Sequence, residues 1–491
     1  MKRFIFCALL VAFTTQFVSG ADELPSPKNS FKVSNKAEFD LAVGRVSSGD
    51  EIVLADGVWR DVELIIDASG TEQEMIYVRG EHPDKTFISG GSQIKFGGDY
   101  LYLYNLSFDG CVATSPTSKG RIVEFKSGRR EANHCVISDC HFDSCVPQDK
   151  SFDDVWINLY GTYNTVQRCY MGGKDNKGLY IVVWHKNTKA DHHTIRQNYF
   201  YRPDTYNREE NGQEVIRIGD SNNSRTDSST IIEDNFFYRC NGEIEIISIK
   251  SGDNVVNRNT FLECVGCVTL RHGDNNTISN NYFIANHIPR AGGVRVINKG
   301  HRIYNNYFFG QISQRERAAI SLQLGVENGR LNEYDQVVDV VIANNTLVNC
   351  RQNFSFGVGR ATLVPKGVSI VANLIVTDQT STLIDDNGTD TSGIKFYDSH
   401  LEGADGVRSG EGLVSGAYTS STMTIAGITL PKLSASTTSA LTPDYIGTDI
   451  SGVSRSTQSP IGAIVSGEDT PQPSIAQPSN CGPLWGGGRP L

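Results

Sequence analysis

Between Asn207 and Gly273 the chain interleaves carboxylates, amides and cations with short β-branched runs, a mixture suited to chemistry on a charged substrate. In NGEIEIISIKS, Glu243 and Glu245 stand two apart. If that segment is extended, both carboxylates leave one face of a sheet while Ile244 and Ile246 enter the core. Two carboxylates a pleat apart make an oxygen-rich site that suits Ca²⁺. Lys250 is out of phase with the pair, and joins it only if the strand turns or bulges near Ser248 and Ile249. Arg271 follows Lys250 by 21 residues, so the two are neighbours only if the chain repeats at about that interval. Taken singly, these side chains read as turn residues or surface charges; their joint placement is what argues for a site.

A repeat near that length is present. A short apolar run, an Asn or Cys, an aromatic or Thr and a further apolar residue recur nine times: VISDCHF at Cys140, TVQRCYM at Cys169, TIRQNYF at Asn198, IIEDNFF at Asn235, VVNRNTF at Asn259, TISNNYF at Asn281, RIYNNYF at Asn306, VIANNTL at Asn345 and SIVANLI at Asn373. The intervals are 29, 29, 37, 24, 22, 25, 39 and 28 residues. Such spacing signals a solenoid with insertions, because one coil of short strands cannot bury its inner face alone whereas stacked coils can. With Gly, Asn, Ser and Thr abundant and no long helical periodicity, the expectation is an all-β, right-handed parallel β-helix. Its recurrent Asn should bond along the axis, and its insertions should become outer loops.

The repeat converts spacing into contact. Lys250 and Arg271 fall about one coil apart and should sit one above the other, with Arg295 extending the column by a further coil. Asn211, Glu214 and Arg217, in NGQEVIRIG, belong to the coil before Glu243 and Glu245. An acidic and amide cluster beside a basic stripe fits a carboxylated sugar whose carboxylate is clamped by a cation. Removing the proton α to a carboxylate is difficult unless the charge that develops is stabilised. Lys250 could act as the base if neighbouring positive charge lowers its pKa. Arg271 would stabilise the enolate or assist the leaving oxygen, since a guanidinium stays protonated.

Composition bounds the rest. The opening MKRFIFCALLVAFTTQFVSG has the basic start, apolar run and small residues of a secretory leader, giving a first segment 1–20 and an exported protein, secreted or periplasmic. No later run is long enough to span a bilayer. Without the leader, 43 Lys and Arg face 55 Asp and Glu, a net charge of −12. That balance argues against nucleic acid as a partner and requires that cations binding a polyanion be gathered locally. Ten cysteines remain after Cys7, whose spacing assigns no pairing; Cys264 and Cys267 form a lone CxxC that reads as core packing. Residues 21–467 read as one domain, opening with coils from residue 24 to about 100 and closing with terminal turns and a cap. The Pro- and Gly-rich stretch 468–491 reads as a flexible extension.

At these motifs the chain resembles polysaccharide lyase family 6, which holds alginate lyases and chondroitinase B. NGQEVIRIG, NGEIEIISIKS, VTLRHG and GGVRVI carry the resemblance, in that order and at coil spacing, within a weaker likeness covering most of residues 24–465. It implies a parallel β-helix that cleaves uronate glycosides by β-elimination. On that basis Lys250 is the Brønsted base and Arg271 the acid or charge stabiliser. Asn211, Glu243 and Glu245 are Ca²⁺ ligands, Glu214 is a further acidic ligand of alginate-acting members, and His272 and Arg295, with Arg217, contact substrate. Gln213 and Ile249 depart from the family pattern, which often has Gly and Asn at these places. The motifs are more similar to the alginate-acting branch, so an alginate lyase acting as a monomer or homodimer is expected. Dermatan sulfate or pectate elimination is the alternative, and a non-catalytic polysaccharide-binding β-helix is the alternative outside enzymes.

Overall fold

The computed structural model describes residues 24–112, 120–186, 189–203, 211–378, 382–465, 475–486 and 490; the leader-like segment 1–20 lies outside them. Successive short apolar runs form three long sheets of 14, 12 and 14 strands, each strand pairing in parallel with its counterpart one coil away except the last of the third sheet, Gly406–Val407, which turns back antiparallel. This is the expected right-handed parallel β-helix. Alternation decides which side chains enter it. In the first sheet Ile195, Ile232, Val256, Ile278, Ile303 and Ile342 pair in register and are all fully buried. In the third, Phe200, Phe237, Phe261, Phe283 and Phe308 stack with successive ring centroids 4.8, 4.6, 4.8 and 4.7 Å apart. Those separations match the distance between hydrogen-bonded strands, so aromatic stacking and backbone pairing reinforce one another.

The recurrent Asn residues lie inside the wall, at the turn between the first and third sheets. The backbone N–H of Asn198 donates to Asn235 Oδ1 (2.9 Å), Asn235 to Asn259 (3.0 Å), Asn259 to Asn281 (2.9 Å), Asn281 to Asn306 (3.0 Å), Asn306 to Asn345 (2.9 Å) and Asn345 to Asn373 (2.9 Å). Each buried turn amide is thereby satisfied by the next coil, as burial requires. A second ladder runs through Asn164, Asn254 and Asn276, and two of its acceptors are imidazoles: His193 Nδ1 takes the Asn164 N–H and His301 Nδ1 the Asn276 N–H, both at 3.1 Å.

The opening coils form as expected, whereas the C-terminal end differs from expectation. The helix Lys36–Val43, with Asn35 as its N-cap, covers the first coil through buried Phe39 and Ala42. At the other end the coils stop near His400–Gly403, and the chain beyond them does not form the expected terminal turns. Strands Tyr418–Ile425 and Ile428–Ala435 form an antiparallel hairpin that folds back along the outer face of the third sheet. Ile425, Leu430, Ile446 and Ile461 pack there against outward-facing Tyr282, Ile284, Tyr307 and Phe309. The segment read as a flexible extension also packs: among residues 475–486, Ala476 and Cys481 are buried, and the Trp485 indole donates to Asp139 O at 2.9 Å. An apolar outer face on the third sheet is the reason, since it needs cover that the coils do not supply. The ten described cysteines are all buried, and they form no disulfide with one another. Among the described residues no helix is long and apolar enough to cross a membrane.

Candidate active site

The 12-stranded sheet carries the site, and two irregularities aim its side chains. In strand Glu245–Lys250, Glu245 pairs with Cys267 but Ile247 with Val268, so Ile246 is an extra residue. Ile246 and Ile247 both enter the core, which reverses the alternation and puts Glu245 on the same face as Ser248 and Lys250. The bulge that Lys250 requires therefore exists, earlier than Ser248 and Ile249 where it was expected. Ile244 is half-buried and lines the cleft instead of entering the core. On the next coil Ile249 pairs with Leu270 and Lys250 with His272, leaving Arg271 as the extra residue. Arg271 thus stands beside Lys250 rather than paired with it. Arg295 pairs with Thr269, in the column of Arg217 and Ser248, so the expected single column is staggered.

These residues converge on one cleft of about 790 Å³, lined by Asn211, Glu214, Arg217, Glu245, Lys250, Arg271 and Arg295 among others. Lys250 Nζ lies 4.0 Å from Glu214 Oε1. Glu245 Oε1 lies 3.5 Å from Arg295 Nη1 and 4.0 Å from Arg271 Nε. Glu243 Oε1 accepts the backbone N–H groups of Gly212 and Gln213 at 3.0 and 3.1 Å. Its carboxyl is pushed up to about 8, first by burial and then by the charge of Glu214. Glu214 Oε2 is buried without a hydrogen-bond partner. The three carboxylates are therefore split, with Glu214 and Glu243 forming an electrostatically strained pair and Glu245 turned toward the arginines. Among the described residues, the one trio of carboxylate, imidazole or thiol ligands mutually within 4.8 Å is elsewhere, at Asp56, Glu81 and His82.

Two further placements bear on the chemistry. His272 is 3% exposed and lines a neighbouring cavity of about 600 Å³ rather than the cleft. Burial, then Arg271 and Lys250, lower its pKa to about 3, so it is neutral at ordinary pH. Tyr334, absent from the sequence expectation, supports two of the cleft arginines, Arg271 and Arg295. Its hydroxyl accepts from Arg295 Nη2 at 2.7 Å, and its ring centre lies 4.2 Å from the Arg271 guanidinium carbon and 5.3 Å from that of Arg295. Tyr334 lies in the longest interval of the repeat, the 39 residues between Asn306 and Asn345, which is the signal that an outer loop reaches the cleft.

Comparison with known proteins adds to this geometry. Residues 33–424 match the Chondroitinase B family. The PL6 family alginate lyase AlyGC is 34% identical over 82% of this chain and 55% of its own, with a TM-score of 0.76.

The chain belongs to polysaccharide lyase family 6.

A mutant of AlyGC gives 32% identity over 94% of this family 6 chain and 59% of the other, with a TM-score of 0.81. A mannuronic acid specific family 6 lyase from human gut microbiota is 32% identical over 76% and 86%, with a TM-score of 0.71. This family 6 protein thus spans 55% and 59% of the length of the two AlyGC chains. None of the curated proteins compared with it matches.

Proposed function

We propose that this chain is an exported alginate lyase that cleaves by β-elimination. The observation that carries the reading is the meeting of Lys250, Arg271 and Arg295 with Glu214 and Glu245 in one open cleft. A ligand chain of uronates supplies the anion such a cleft suits, and the 32–34% identity to the alginate lyase AlyGC and 32% to the mannuronic acid specific lyase support alginate over dermatan sulfate or pectate.

In this mechanism Lys250 Nζ takes the proton from C5 of a uronate, α to its carboxylate. The electron pair forms the C4=C5 double bond, and the bond from C4 to the glycosidic oxygen breaks. That oxygen leaves with a proton from water or from the Lys250 ammonium. Arg271 opposes the negative charge that builds on the carboxylate and leaving oxygen, while Arg295, held by Tyr334, fixes the sugar's orientation. A Ca²⁺ ion would be held by Asn211, Glu214, Glu243 and Glu245. The fit is supported by the unpartnered Glu214 oxygen and by the Glu243 carboxyl, which burial and the charge of Glu214 push up toward its neutral form; a hard cation between them would relieve that crowding and let both ionise. When bound, such an ion supplies positive charge to the substrate carboxylate.

Incubation with alginate, dermatan sulfate and polygalacturonate, with and without chelator, tests this by the ultraviolet absorbance of the unsaturated product. Lys250→Ala should abolish the rise while leaving circular dichroism unchanged. Substantial activity in that variant would remove the base assignment, and binding of alginate without any product would favour the non-catalytic reading.

A further inference from the structure

Toward the N-terminus from Lys250, the same face of the groove sheet carries a second group of cations that the elimination does not use. Extending the pairing of Ile249 with Ile218, Ile218 with Val183, Val183 with Leu159 and Asn158 with Glu124 puts Gly219, Trp184, Tyr160 and Lys126 in the row of Lys250. At roughly 4.8 Å per coil, Trp184 is about 10 Å and Lys126 about 19 Å along that row. Gly219, with φ +75°, contributes no side chain and leaves the row bare between Trp184 and Lys250.

Tyr160 and Trp184 are stacked, with centroids 6.0 Å apart and planes at 9°, and the indole is fixed by Asn158 Oδ1 at 2.9 Å. Four cations surround this pair. Lys126 Nζ is 3.8 Å from the Tyr160 centroid, Lys186 Nζ 5.2 Å from Tyr160, and the guanidinium carbons of Arg121 and Arg217 are each 5.3 Å from Trp184. Of these four, only Arg121 has an ion-pair partner among the described residues, Glu124 at 2.9 Å. Glu131 sits opposite Lys126 in a two-residue antiparallel pair without closing an ion pair. The strain of this arrangement shows in two ways. Lys126 is held below the ordinary lysine range by burial and then by Arg121 and Lys186. The Tyr160 hydroxyl and the Nε atoms of Arg121 and Arg217 are buried with no hydrogen-bond partner. In a chain of strongly negative net charge, four cations drawn together on rigid rings beside a cleft are a local trap for a polyanion.

We infer that Lys126, Lys186, Arg121 and Arg217, mounted on Tyr160 and Trp184, form an accessory site for the carboxylates of a polyuronate, holding sugar units remote from the bond that meets Lys250. The inference rests on the reading of the cleft as a uronate lyase. Binding energy from these remote units favours long chains over short ones, so the site makes the enzyme chain-length dependent. Arg217 joins the two groups, since it lines the cleft and also lies over Trp184.

The test is the double variant Lys126→Ala with Lys186→Ala, neither residue lying in the cleft around Lys250. Its kcat/KM on long oligouronates should fall about tenfold, a loss of two charge contacts of ordinary strength. On the shortest substrate cleaved it should match wild type, and its salt dependence should be shallower. Equal effects on long and short substrates, or no effect on either, overturn the accessory site. Binding of long and short oligouronates to the Lys250→Ala protein, with and without the double substitution, separates this from the lyase reading. Length-selective loss of binding, alongside a wild type that yields no unsaturated product, removes the lyase and keeps the site. A wild type that neither binds nor cleaves polyuronate removes both.

Discussion

Tyr334 touches Arg271 and Arg295 in the cleft through different parts of one side chain, and this makes its contributions separable. Tyr334→Phe keeps the ring beneath Arg271 and drops the 2.7 Å hydrogen bond to Arg295. The loss should lower kcat/KM on alginate by a factor of about 10 to 100, the worth of one hydrogen bond to a charged group. Tyr334→Ala should lower it by about a further tenfold as the cation and ring contacts vanish. Initial rates of product absorbance check both, and equal rates in all three proteins would exclude Tyr334 from the site. Most of the charged residues that meet here were legible in the sequence, because the interval from Lys250 to Arg271 matches the repeat. Their exact facing was not. It depends on Ile246 being an extra inward residue, and Ile246 looks like any other member of an apolar run. Tyr334 was hidden differently, in an insertion whose length shows but whose path does not.

At the scale of the coil, the two side-chain ladders carry separate expectations. Asn259→Leu would leave the Asn235 N–H buried without its 3.0 Å acceptor and strand neighbouring carbonyls. A loss on the order of 2 to 4 kcal/mol is expected, read as a drop in the denaturant midpoint. His193 and His301 titrate instead. Burial lowers each to about 4 from 6.5, and each must be neutral to accept an amide hydrogen through Nδ1. Below pH 6.5 the unfolded chain binds protons that the folded chain refuses, so stability falls as pH drops from about 6.5 toward 4, at roughly 1.4 kcal/mol per unit for each group. His301→Asn puts the ladder's usual side chain at that place and should flatten this slope. An unchanged slope in unfolding measured across that range would show that His301 does not set it. The Asn ladder was readable because turn, residue type and interval recur together; the imidazole members were not, since each occurs once and carries no period.

The whole molecule is shaped by a surface the repeat does not announce. The coil pattern fades after Asn373, and Ser, Thr and Gly then carry too little periodicity to reveal that the chain reverses. Yet outward Tyr282, Ile284, Tyr307 and Phe309 demand a partner, and the hairpin Tyr418–Ala435 with its sequel supplies it. Ending the chain after Gly416 should bare that apolar strip, and the shortened protein should self-associate in light scattering or size exclusion. A monodisperse product would show that the strip tolerates water.

The returning chain also binds far-separated coils to one another. Trp485 is tied to Asp139, Cys481 to Asp234, Arg455 to Asn305 and Ala463 to Thr346. Solenoids ordinarily answer to nearest neighbours alone, so their ends can fray while the middle holds. A lengthwise strap of this kind forbids fraying without its own detachment. Calorimetry should therefore record one sharp endotherm for the intact chain, splitting into a broad, stepwise melt once the strap is cut away.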